Sequence, residues 1–284
     1  MKKILLLISS LITAFLLTIS ISKADVKVVT SIKPIHSLAS YVMDGVGKPD
    51  VIVDGYNSPH GFSLKPSHAK MIENANLIIW VGEGLEAFLE KPLKTIAKNA
   101  VNVEIMDLKG VKKLRFREKN IFEGHDDHGH GHKEHKEHGH DEHKEHGHKE
   151  KKHDDHGHEG HAHGEHDPHV WLDPMNAKVI VKEIEKQLVK LDPSNSSKYK
   201  ANSKKAQSEL DNLIKNIKRD LAKDLRFVVF HDAYQYFENR FGIKVLGALT
   251  VNPDVLPGAE QLSEIREVIE HEKVNCLFSE PQFN

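Results

Sequence analysis

The chain has 284 residues, 29% of them charged, a formal net charge of −2 and a single cysteine. That length suffices for two modest lobes with real cores. The basic residues of the body are scattered along helical patterns and form no stripe, which excludes a nucleic-acid interface.

Met1-Lys2-Lys3, an apolar run from Ile4 to Ile21 and the small-x-small step Ser22-Lys23-Ala24 are the three parts of a secretory signal. Cleavage is expected after Ala24, and no later segment is apolar enough to cross a bilayer. Cys276 is far from the signal junction, so no cysteine stands there to carry a lipid. A free protein of the periplasm is the expected product.

From Asp25 to about Lys119, short apolar runs alternate with helical patterns. Val26–Thr30, Val51–Val53, Leu77–Val81 and Val101–Ile105 read as strands, compact, β-branched and bounded by turn residues. Helices are predicted between them at Ile35–Met43, Ser67–Asn74 and Leu85–Ala97. Strands without polar alternation, separated by helices, imply parallel sheet covered on both faces.

Between His125 and His169 the chain holds 17 of its 22 histidines, in repeats of the type H-K-E-H-G-H. From Glu123 to Pro168 there are 14 acidic residues and 6 lysines, a net of −8, which leaves the rest of the chain at about +6. Ala162 is the one apolar side chain from His125 to His166, so no packed core can form there. Ordering about 40 residues costs on the order of tens of kcal/mol, so only weak, local, exchangeable chelates are expected. Neutral imidazole is the commonest transition-metal ligand, and metal handling is the theme of the chain.

After the tract, Asp173-Pro174 and Asp192-Pro193 are helix starts. The first helix carries an apolar face of Ile180, Ile184, Leu188 and Leu191. The second, of about two dozen residues, carries a narrow stripe of Leu210, Leu213, Ile214, Ile217 and Leu221, which suits a strut. Strand Phe227–Phe230, strand Ile243–Leu249, helix Ala259–Glu270 and strand Val274–Phe278 resume the α/β pattern. The expected domains are a signal at 1–24, an α/β lobe at 25–191 carrying a loop at about 123–166, a linking helix at 192–222 and a second α/β lobe at 223–284. Cys276 reads either as a small hydrophobe buried in its strand or as half of a disulfide whose partner lies outside this sequence.

Five histidines stand outside the tract: His36, His60, His68, His231 and His271. Ligands of open α/β sheets bind beyond the carboxyl ends of strands. His60 follows the strand at 51–53, His231 follows the strand at 227–230, and His169 opens H-V-W-L-D-P where the tract ends. Three imidazoles from three loops suit near-tetrahedral Zn²⁺. A histidine after a strand is more often a hydrogen-bonded surface residue, and His36 also follows a strand, so spacing alone leaves the set open. His68 and His271 fall within helices and read as surface residues.

S-I-K-P-I-H-S-L-A, P-H-G-F-S-L-K-P-S, A-N-L-I-I-W-V-G-E-G-L-E-A-F, D-P-H-V-W-L-D-P, F-H-D-A-Y-Q-Y-F and S-E-P-Q-F, in this order, resemble the periplasmic zinc-binding components of high-affinity zinc ABC importers. These belong to the metal-specific cluster of solute-binding proteins. The resemblance spans nearly all of the chain after the signal. It implies two α/β lobes, each a mostly parallel sheet flanked by helices, joined by a long rigid helix. It implies His60, His169 and His231 as ligands of the transported Zn²⁺, and His36 as a non-ligand. Pro59 stands where some members carry a glutamate, so the fourth position is expected to hold water. The implied partners are an inner-membrane permease and its ATPase, the expected state is a monomer, and the second lobe is expected to be truncated.

Rival readings are a manganese, nickel or iron binding protein of the same family, a periplasmic zinc buffer, and a zinc hydrolase. The last needs a general base beside the metal, as in H-E-x-x-H on a helix. The nearest match, His158-Glu159-Gly160-His161, has the wrong spacing and lies in the tract.

Overall fold

The computed structural model describes residues 26–117, 119–122, 165–222, 224–251, 253 and 257–282. The signal at 1–24 and the histidine repeats at 123–164 lie outside the described residues. The chain divides into two compact units, one formed by residues up to Lys112 with Val170–Arg219, the other by Lys113–His169 with Asp220 onward.

In the first unit, strands β1 (Val28–Ile32), β2 (Asp50–Val53), β3 (Leu77–Trp80) and β4 (Val101–Glu104) form a wholly parallel sheet in the order β2-β1-β3-β4. Every residue of β1 and β3 is buried, as expected of β-branched and aliphatic strands covered on both faces. Helices α1 (Lys33–Val42), α2 (Pro66–Glu73) and α3 (Glu83–Thr95) follow the first three strands. Pro34 and Pro66 sit in the first turns of α1 and α2, where no intrahelical N–H is needed. The sequence places these helices to within two residues.

Helix α4 (Pro174–Leu191) starts on Asp173, whose carboxylate accepts from Met175 N at 2.8 Å. Its buried Ile180, Ile184 and Leu188 match the expected face. Ile180 and Ile184 line the same small gap as Leu77 and Ile79 of β3, which seats α4 on the sheet. Helix α5 (Ser196–Asp220) has the predicted length, and none of its stripe residues is fully buried, as suits a strut. The buried residues are Tyr199, Asn202, Ser203 and Ala206 in its first half, while Leu213 is 45% exposed. Polar groups anchor that first half. Tyr199 Oη donates to Asp192 at 2.9 Å, and Asn202 Nδ2 donates to Val42 O and Asp44 O.

The second unit holds β5 (Phe227–His231), α6 (Gln235–Phe241), β6 (Ala248–Thr250), α7 (Ala259–His271) and β7 (Cys276–Phe278), with parallel strand order β6-β5-β7. Phe227, Val229, Val245 and Ala248 form its core, with Phe122, Tyr234 and Ile243 packed against it. Helix α6 ends on Gly242 in the left-handed region, φ +69°. The strand expected at 243–249 is shorter and later, at 248–250. Leu246 and Gly247 instead bond on two sides: to Phe227 and Val229 of β5, and through Leu246 O to Phe122 N.

That second contact moves a boundary. Residues 113–122, expected in the first lobe, belong to the second unit. Ile121 bridges Gly247 and Arg115 bridges His166, both antiparallel, and Leu114 N donates to Tyr236 Oη at 2.9 Å. The described residues on either side of the histidine tract are thus stitched into the second sheet's unit, and α5 goes with the first. Cys276 also departs from the reading as a buried hydrophobe: it lies in β7 as predicted but is exposed.

Candidate metal centre

Two of the three expected ligands are neighbours in the second unit. His231 ends β5, at the carboxyl edge of the parallel sheet, and is 3% exposed; His169 is 5% exposed. Their ring centroids lie 4.8 Å apart with planes at 72°, an edge-to-face arrangement. Burial, above all, lowers the pKa of the His231 imidazole, and repulsion from His169 adds to it, while Glu280 and Asp167 oppose. A base so biased stays neutral, with a lone pair to offer, further into the acid range than free histidine.

His60 belongs to the first unit. It lies half-buried on the loop that follows β2, and its backbone N–H donates to Ser58 Oγ at 3.3 Å. That is the carboxyl end of a parallel strand, as the sequence implied.

The other three histidines outside the tract have local work. His36 Nε2 is 3.1 Å from Pro49 O. His68, expected at the surface, is half-buried. Its Nδ1 accepts from Lys65 N at 3.1 Å, capping α2, and its ring packs on Phe62. His271 is exposed beside Glu272.

Carboxylates surround the buried pair, and none of them was among the expected site residues. Asp167 Oδ1 is 2.6 Å from His169 Nδ1. Glu280 Oε2 is 3.8 Å from His231 Nδ1, and Tyr234 Oη donates to Glu280 at 3.2 Å. Arg117 donates to Asp232 and Glu238 at 2.8 and 2.9 Å and covers the Phe122 ring. Burial pushes Asp232 up to about 6, against the pull of Arg117. The i, i+2 spacing in D-P-H was the legible trace of the Asp167 contact. Arg117 and Glu280 are 115 and 49 residues from Asp232 and His231, so no local pattern could announce them.

The family model for the zinc-uptake complex component A, periplasmic, matches residues 28–284. The chain belongs to this family. A similar relative is the high-affinity zinc uptake system protein ZnuA of Brucella abortus (strain 2308), 50% identical over 258 residues, which cover 90% of this chain and 77% of that protein. Among solved structures, one described as a crystal structure of ZnuA superposes with a TM-score of 0.70 at 22% identity, covering 92% of this chain and 84% of the other. A manganese-bound periplasmic metal binding protein from Candidatus Liberibacter asiaticus gives 0.63 at 21%, covering 89% and 79%. At such identities the two structures speak for the fold alone.

Proposed function

We propose that this protein captures Zn²⁺ in the periplasm and delivers it to an inner-membrane ABC permease driven by an ATPase, without covalent chemistry. His169 and His231 supply two imidazoles, His60 the third, and water the fourth position. The observation that carries the reading is the buried, adjoining pair His169 and His231. Imidazole donors favour Zn²⁺, whereas Mn²⁺ prefers carboxylate and carbonyl oxygen. The shared family and its relatives' names support zinc as the cargo and the periplasm as the place, after removal of a signal ending at Ala24. The protein acts as a monomer. The histidine tract raises the local zinc concentration while the three-histidine centre holds the transported ion.

Nanomolar capture corresponds to about −12 kcal/mol, which a preorganised centre supplies. Alanine at His60, His169 or His231 abolishes one tight Zn²⁺ equivalent, read by competition with a chromophoric chelator, while His36→Ala keeps it. Tight binding that survives at all three positions defeats the assignment. A manganese reading draws on Glu280, whose Oε2 lies 3.8 Å from His231 Nδ1. Competitive titration of the metal-free protein with Zn²⁺, Mn²⁺ and Ni²⁺ separates the cargoes.

A further inference from the structure

Asp167 is fully buried, and each of its polar groups has a partner. Its Oδ1 accepts from the backbone N–H of His169 at 2.8 Å and faces that residue's Nδ1 at 2.6 Å. Its Oδ2 accepts from Gln235 Nε2 at 2.6 Å, its carbonyl accepts from Tyr236 Oη at 2.6 Å, and its N–H donates to Leu114 O at 2.9 Å. Gln235 Nε2 also donates to Arg115 O at 3.1 Å. Two acceptors on one side settle which end of that amide is nitrogen. Gln235 and Tyr236 open α6, four and five residues beyond His231. The helix that follows one imidazole therefore holds the carboxylate that grips the other.

We infer that Asp167, braced by Gln235, is a positioning residue that fixes the proton of neutral His169 on Nδ1 and so aims Nε2 at the cation. A carboxylate can only accept, so the 2.6 Å contact makes Nδ1 the donor and leaves the lone pair on Nε2. Carboxylate-to-imidazole bonds of this kind orient a metal-binding ring and raise its basicity. The bracing from Gln235 and the His169 N–H holds the carboxylate still before any ion arrives, which lowers the ordering cost of capture. On the other imidazole, Glu280 Oε2 lies 3.8 Å from His231 Nδ1, and Glu280 accepts from Tyr234 Oη. The inference rests on His169 being a ligand.

The test uses the full chain, stripped of metal by a chelator, with Zn²⁺ alone as probe. In an imidazole ¹⁵N spectrum at about pH 8, where histidines are neutral, the resonance missing from His169→Gln carries its proton on Nδ1. A proton on Nε2 there overturns the inference with no change made at Asp167. Asp167→Asn weakens the tight Zn²⁺ equivalent about 10- to 100-fold and populates both tautomers of His169. Gln235→Leu, which leaves the carboxylate in place, gives a smaller loss and covers the case in which Asp167→Asn does not fold. Native affinity in a folded Asp167→Asn refutes the role. Failure of the ligand assignment reads differently, because His169→Gln then keeps the tight equivalent whatever Asp167 does.

Discussion

Glu86 shows how far one side chain can depart from its sequence environment. In V-G-E-G-L-E-A-F it is an unremarkable helix glutamate. In the fold it is wholly buried, at a kink in α3 with φ −118° and ψ 54°, and its Oε2 accepts from Val81 N and Gly82 N at 3.0 Å each. Burial raises its pKa to about 7, and Glu104 adds to the rise, against those two backbone donors. Between the ordinary carboxylate value and about pH 7 the folded chain holds a proton that the unfolded chain has lost. Stability from this group is therefore full at acidic pH and is lost as pH rises toward 7 and beyond. The difference amounts to about 3 kcal/mol, at roughly 1.4 kcal/mol per pH unit. Urea unfolding of zinc-free protein at pH 5 and pH 8 measures it. Glu86→Gln removes most of that pH dependence relative to wild type; an unchanged slope contradicts the burial argument.

At the scale of elements, hydrophobic periodicity located nearly every helix and strand, because apolar stripes and β-branched runs are local properties. Misses fall where a distant segment intervenes. The apolar stripe of α5 gave no sign that Asp192 and the carbonyls of Val42 and Asp44 anchor its first half. The strand expected from Ile243 starts late, because Leu246 and Gly247 serve residues 120–122 on one side and β5 on the other. A Cβ on Gly247 would lie 2.9 Å from Asn120 O and from Ile265 Cδ1. The methyl of Ile265 can turn away, but a backbone oxygen cannot. Gly247→Ala is expected to cost about 1–3 kcal/mol, read as a lower denaturant midpoint at constant slope. A midpoint equal to wild type shows that residues 120–122 adjust without cost.

For the whole molecule, the segments bordering the histidine tract carry the clearest consequence. Arg115 bridges His166 and pairs with Glu165 at 2.5 Å, and residues 120–122 run beside Gly247. Because these borders are tied down, removing residues 125–164 leaves the framework around His169 intact. Such a deletion lowers the total zinc bound per chain and keeps one tight equivalent, as equilibrium dialysis followed by chelator competition will show. Loss of that equivalent contradicts the division of labour between tract and centre.

The sequence by itself determined the α/β class, the helix and strand order, and three histidines beyond strand ends or tract, because side-chain periodicity and turn chemistry are written locally. It also carried the resemblance through which zinc was expected. Only the tertiary structure decided that His169 and His231 adjoin, that Asp167 and Gln235 hold the first of them, and that residues 113–122 pack with the second sheet. Those facts depend on contacts between residues far apart along the chain. Buried polar groups must find their partners wherever folding places them, and no local pattern encodes that choice.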